Sequence, residues 1–185
     1  MDPTRRTLLT SAALLLAASP NAQTTPPAPW PEIADNLPGA TLAGNARLRY
    51  WGFEVYEAQL WTTTSFSASQ YAQHPLGLSL TYLRTLRGSA IAERSLEEMR
   101  RQGPISAAQE AAWLAQMQAS FPDVRAQDRL TGLHQPGQGA RFWLNARPQA
   151  AIAGDDFSKR FFGIWLSDAT SQPEMRRALL ARAPA

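Results

Sequence analysis

The chain has 185 residues, is 44% hydrophobic and carries six Trp, seven Phe and four Tyr, enough to build one sizeable core in a single domain. Its formal charge of +3 is modest, and its basic residues (all Arg except Lys159) alternate with acids, which argues against the one-sided basic stripe of a nucleic-acid binder. With no Cys there is no disulfide, thiolate nucleophile or cysteine metal site, and the two histidines, His74 and His134, sit in turn-like surroundings without a ligand-spaced cluster, so neither metal nor cofactor is expected.

In chain order, Arg5-Arg6 precede an apolar run from Leu8 to Ala18 and then the small residues Ser19-Pro20-Asn21-Ala22. This is the layout of a secretory signal peptide over residues 1–22, of Sec type or, from its paired arginines, of twin-arginine type. The run is too short to span a bilayer, so no stable membrane span is expected after its removal. A cut after Ala22 places Pro20 at the −3 position, which leaves an uncleaved, weakly anchored form as an alternative. The expected address is the periplasm. Residues 23–32 read as a Pro-rich lead-in, and residues 33–185 as the folded domain.

Arg47 to Thr62 is rich in aromatic and β-branched residues and reads as a strand, with Gly52 marking a bulge or a split into two strands. Uninterrupted alternation puts Glu54, Tyr56, Ala58 and Leu60 on one face and Phe53, Val55, Glu57, Gln59 and Trp61 on the other. Leu78 to Arg84 alternates again, with Tyr82 and Arg84 sharing a face. Ser89 is the expected N-cap of a helix over Ala90–Arg101, ended by Gly103-Pro104. Ser106 and Gln109 form a capping box for a second helix with the stripe Glu110, Trp113, Leu114, Met117 and Phe121. Arg129–His134, Pro136–Gly139 and Ala140–Asn145 read as a hairpin, and Gln149–Ala153 as a further short strand. Phe157, Phe161, Ile164 and Trp165 fall on one helical stripe opened by Asp155 or Asp156, and Ser171 with Glu174 launches a last helix through Arg182. Strands, two helices, strands and two helices in that order predict an α+β fold with an antiparallel sheet.

Four blocks resemble the chalcone isomerase-like superfamily, in particular its bacterial exported branch. They are Gly44-Asn45-Ala46-Arg47 running into Phe53–Trp61; Leu78–Arg84 with Ile91-Ala92-Glu93; Pro136–Asn145; and Ile152–Ser167 with its Asp-Phe-x-x-x-Phe-Phe-x-Ile-Trp-Leu core. Their order and spacing cover residues 36–182. The resemblance implies a large antiparallel sheet with a layer of helices on one face, an open-faced sandwich, and a ligand cleft between the two. It implies also that Arg47 matches the Arg that the family's enzymes carry on an early strand, with Arg49 as the competing candidate. Tyr56 stands where those enzymes have a Thr, and Lys159 does not correspond to their Lys. An Arg with a Tyr is closer to the fatty-acid-binding relatives than to the enzymes.

Three readings follow. The first is a non-catalytic protein that binds a small amphipathic acid, fatty or aromatic, through Arg47 and Tyr56, with Tyr82 and Arg84 as a second polar pair. The alternatives are an intramolecular lyase or isomerase acting on a chalcone-type aromatic enone, and a scaffold that binds a partner and no small ligand.

Overall fold

The computed structural model describes residues 27–183. The expected signal peptide and the first residues of the lead-in lie outside the described residues. The order is α1 (Pro31–Asn36), β1 (Thr41–Tyr50), β2 (Phe53–Thr62), β3 (Leu76–Tyr82), α2 (Gly88–Arg100), α3 (Ala107–Ser120), β4 (Arg129–Gln135), β5 (Gly139–Leu144), β6 (Arg147–Pro148), α4 (Asp155–Leu166) and α5 (Pro173–Leu179). A 3₁₀ segment, Ala68–Gln73, links β2 to β3. All six strands form one antiparallel meander in the order β1 to β6, as the α+β reading expects.

The period-two pattern decides what each face of the sheet does. Leu76, Leu78, Leu80 and Tyr82 of β3 enter the main core, together with Leu130 of β4 and Ala140 and Phe142 of β5. Over this inner face lies the helical layer. Its keystone is α4, whose Phe157, Phe161, Phe162 and Trp165 are each 6% exposed or less. Phe161 alone meets five aromatic rings at centroid distances of 5.2–5.7 Å: Phe121, Phe142, Phe157, Phe162 and Trp165. Each such ring contributes about 1.5–3 kcal/mol by burial alone.

The outer face carries a smaller cluster of Ile33, Leu37, Ala40, Trp61, Leu133 and Trp143. Residues just before Ile33 join this face. Trp30 donates its indole N–H to Gln59 at 3.0 Å, and α1 opens on Pro31, a residue whose fixed φ suits a first helical turn. Glu32 pins α1 down. It is 5% exposed, accepts a 2.6 Å hydrogen bond from Thr131 and pairs with Arg129 at 3.1 Å, while the Arg129 guanidinium stacks 3.7 Å over the Trp30 ring.

Several local expectations change once partners are in place. The Ser106–Gln109 capping box opens α3 as expected. Helix α2 begins at Gly88 instead of Ala90 because Asp123, distant in sequence, accepts from the Gly88 N–H at 2.8 Å and does the work assigned to Ser89. Asp155 and Asp156 lie within the first turn of α4, and Gly154 is the N-cap. Asp155 instead accepts from Gly137 N–H at 2.8 Å and ties the β4–β5 turn to the helix. The expected strand Gln149–Ala153 reduces to a single bridge from Ile152 to Ala140, and the sixth strand is Arg147–Pro148. Helix α5 ends at Leu179, and its N-cap, Gln172, makes no side-chain cap bond.

His134, expected in a turn, is the penultimate residue of β4 and only 1% exposed. Its Nε2 lies 2.9 Å from the Ala72 carbonyl and its Nδ1 2.5 Å from the Ser158 hydroxyl. Burial holds its pKa below the ordinary histidine value, against the opposing pull of the Ala72 carbonyl and of Asp155.

Two expectations follow from these buried polar groups. Glu32→Ala strands a guanidinium and a hydroxyl against the outer face, and urea denaturation is expected to show a loss of about 3 kcal/mol, as for other broken buried pairs. The unfolded chain takes up a proton at His134 near pH 6.5 while the native state resists it, so stability is complete above that pH and declines below it, by at most about 1.4 kcal/mol per pH unit. Denaturation midpoints between pH 5 and 7 are expected to fall with acidification in the wild type and to level out in His134→Gln.

Candidate functional site

At the end of the sheet where β1 turns into β2, the inner face beneath α2 and α4 is not fully covered. A cleft of about 570 Å³ opens between them. Its sheet wall is Leu48, Tyr56, Leu80, Tyr82 and Leu130; its helical wall is Ile91, Arg94, Ser95 and Glu98 of α2 with Ile164 and Trp165 of α4. Tyr50, Trp51, Phe53 and Arg84 stand at the rim, where the β1–β2 hairpin ends.

A bulge in β2 decides which residues reach this space. Leu48 pairs with Tyr56, but the next residue, Arg49, pairs with Glu54, so Val55 is the extra residue. The alternation therefore slips by one. Phe53 joins Tyr50 and Tyr56 on the cleft side, whereas Glu54 joins Glu57 on the outer face. Uninterrupted alternation has these two the other way round.

The pairing of Leu48 with Tyr56 places the first two candidate residues. Arg47 and Arg49 face outward, opposite the cleft. Arg47 is paired with both Glu54, at 2.8 Å, and Glu57, and Arg49 with Glu54 at 2.8 Å. The hydrogen bond with Glu54 raises the Arg47 pKa, and the same bond lowers that of Glu54. Arg47 is thus a partner in a cross-strand ion-pair ladder and not a cleft residue. The physical reason is parity: Leu48 lies inside, so residues 47 and 49 must lie outside.

Tyr56, expected beside Arg47, instead shares the cleft with Tyr82 and Arg84, the residues read as a second pair. Tyr56 and Tyr82 are directly opposed across the β2–β3 pair, their rings edge to face at 5.9 Å. The Trp165 indole donates to the Tyr56 oxygen at 3.0 Å, which leaves the Tyr56 proton without an acceptor among the described residues. The Tyr82 hydroxyl likewise has no partner there. Burial raises the pKa of both phenols well above the ordinary value, so both are donors at any physiological pH. Arg84 lies just beyond β3, its guanidinium 5.0 Å over the Phe53 ring, and no carboxylate among the described residues is within ion-pair distance of it.

Two polar residues of the cleft were not legible in the chain. Arg94 bonds Glu97 at 3.0 Å and Glu98, and its guanidinium lies 5.5 Å over the Tyr50 ring. Glu98 is 8% exposed, and Arg101 approaches its second oxygen at 3.7 Å. Their spacing in α2 looks like ordinary surface pairing at i, i+3 and i, i+4, and only docking of α2 turns them to the cleft rim.

The phenols supply a direct check. In alkaline absorbance titration, Tyr56→Phe and Tyr82→Phe are each expected to leave the phenolate signal between pH 9 and 11 unchanged, because neither group ionises in that range in the folded protein. Loss of signal in either variant would place that hydroxyl in water.

Comparison with known proteins agrees with this architecture. Residues 39–181 match the chalcone isomerase-like family model. A protein of Haemophilus influenzae, described only as uncharacterized, is 29% identical over 139 residues, which is 75% of this chain and 67% of that one. The crystal structure of an Arabidopsis thaliana fatty-acid binding protein superposes with a TM-score of 0.60, over 77% of this chain and 87% of that one, at 9% identity, a likeness of fold alone. With an antiparallel meander, a helical layer on its inner face and a family match over most of its length, the chain belongs to the chalcone isomerase-like family.

Proposed function

We propose that this protein binds, without transforming it, a small amphipathic acid whose apolar part lies in the cleft and whose carboxylate sits at the rim. The observation that carries the reading is an open apolar cleft bordered by the cation Arg84 and by two phenol donors, Tyr56 and Tyr82, with no carboxylate paired to the one and no acceptor for the protons of the others among the described residues. Its volume of about 570 Å³ falls within the usual range for small-molecule sites. An aliphatic chain or an aromatic ring fits walls of Leu48, Leu80, Leu130 and Ile91. The carboxylate is assigned to Arg84, since a guanidinium offers paired donors to both its oxygens. The Arabidopsis structure, whose protein binds fatty acid, supports the class of ligand by fold.

This reading keeps Tyr56, Tyr82 and Arg84 and gives up Arg47. The isomerase alternative loses the cationic anchor it relied on, because Arg47 and Arg49 face away from the cleft. We further propose that the protein acts after export to the periplasm; the paired arginines and the apolar run Leu8–Ala18 support that address.

Displacement of a fluorescent polyene fatty acid tests the binding. Long-chain fatty acids are expected to compete for one site in the wild type. Ile91→Trp, which fills the cleft, is expected to weaken binding at least tenfold, about 1.4 kcal/mol. Arg84→Gln should weaken the acid but not the corresponding alcohol, whereas Arg47→Gln should leave both unchanged. No saturable binding by the wild type would refute the proposal.

A further inference from the structure

We infer that the tip of the β1–β2 hairpin is a membrane-docking element that seats the rim of the cleft in the headgroup region of an anionic bilayer. The inference rests on the cleft being an amphipathic-ligand site, and it adds where that ligand is collected or delivered.

Three observations lead there. First, the tip holds the large exposed apolar side chains of the described residues: Tyr50 at 50%, Trp51 at 84% and Phe53 at 61% exposure. Every other Phe and Trp from residue 61 onward is 8% exposed or less. Burial in this chain is otherwise efficient, so the tip is an exception, confined to one turn.

Second, the turn is made at the expense of local preference. Trp51 has φ 52° and Gly52 φ 80°. A two-residue hairpin turn with both φ positive favours Asn-Gly, Asp-Gly or Gly-Gly, and a bulky residue at its first position is unusual. Trp51 gains little from the fold in return, only an edge-to-face approach to Tyr50 at 6.3 Å. A side chain held in this conformation with no compensating burial points to a role outside the folded chain.

Third, the surroundings suit a lipid surface better than a protein one. Trp and Tyr settle at the bilayer interface, where the ring is in an apolar layer and the polar edge is wet. The guanidinium of Arg84 lies 5.0 Å over Phe53 with no carboxylate among the described residues within ion-pair distance, which places an uncompensated cation beside the rings, where lipid phosphates would lie if the rings enter the acyl boundary. A protein partner needs roughly 800 Å² on each side, a breadth that a single two-residue turn does not present. Finally, Tyr50, Trp51 and Phe53 border the cleft itself, so a tip sunk in the interface brings the apolar interior of the cleft into continuity with hydrocarbon. An acid could then cross without passing through water.

The test uses the full chain and vesicles of phosphatidylcholine with or without phosphatidylglycerol, their acyl chains brominated to quench tryptophan on contact. Bromolipid quenching is expected in phosphatidylglycerol vesicles, is expected to lose most of its extent in Trp51→Phe, and is expected to fall several-fold when Phe53→Ser leaves Trp51 as the reporter. Vesicle binding through the N-terminal apolar run does not depend on Phe53, so the fall in Phe53→Ser separates docking by the tip from anchoring by that run. Quenching that survives Trp51→Phe, or that is equal without phosphatidylglycerol, would overturn the inference. So would the absence of quenching together with self-association that Trp51→Ser abolishes, which would make the tip a contact between two copies. Failure of the ligand reading itself appears separately, as absence of saturable acid binding in vesicle-free solution.

Discussion

The cleft depends on how α4 is held against the sheet. Phe161 is the centre of that attachment, with rings of the sheet, of the segment after α3 and of its own helix around it. Because these rings occupy the middle of the inner face, the helical layer has a fixed height there. Toward the β1–β2 end the large side chains of α4 give out. Trp165 is the last of them, and its indole N–H turns to Tyr56 instead of to another ring. The cleft is the space left where a rigid aromatic spacer stops and the sheet continues. Interiors close-packed to this degree do not collapse into such a space at low cost, which keeps it open.

The bulge at Val55 then sorts charge from apolar surface. On one side of it the ladder Arg47, Arg49, Glu54 and Glu57 neutralises itself on the outer face. On the other, Tyr50 and Phe53 are delivered to the same side as Tyr56. The inserted residue turns Glu54 outward and Phe53 to the rim, while strand parity alone places Arg47, Arg49 and Glu57 outside and Tyr50 at the rim. The polar groups of the cleft are few: two phenols, Arg84 at the edge with no carboxylate partner among the described residues, an Arg94–Glu98 pair that largely cancels its own charge, and Ser95, Ser171 and Gln172. Such a site holds a ligand by burial and orients it by a few donors.

The hairpin tip and the cleft are one construction. The turn that reverses β1 into β2 is also the rim, so whatever the aromatic side chains of the tip touch is adjacent to the cleft opening. Placing binding groups on a hairpin whose base is locked in a six-stranded sheet allows a small exposed element to stay rigid.

Much of the architecture was legible in the chain because it rests on local rules. Alternation in residues 78–84, the stripe Phe157, Phe161 and Trp165, the Ser106–Gln109 box and the order of the elements determined an antiparallel sheet with a helical layer, and the same residues carried the family resemblance. Tyr56 and Tyr82 were also within reach, since each shares a face with core residues of its own strand, Ala58 and Leu60 for the one and Leu78 and Leu80 for the other. What only the tertiary structure decided is the side on which Arg47 lies. That side is set by register, Leu48 lying opposite Tyr56, and register, like the bulge that lets Arg49 pair with Glu54, is a relation between two strands that the composition of neither announces. The same holds for the cap of α2, supplied by Asp123 from across the fold, for the burial of His134, and for α1, where Glu32 acquires its meaning only when Arg129 and Thr131 arrive from β4. Periodicity is a property of one segment, whereas register, capping across the fold and ion pairing belong to two, and those contacts form only when the chain closes on itself.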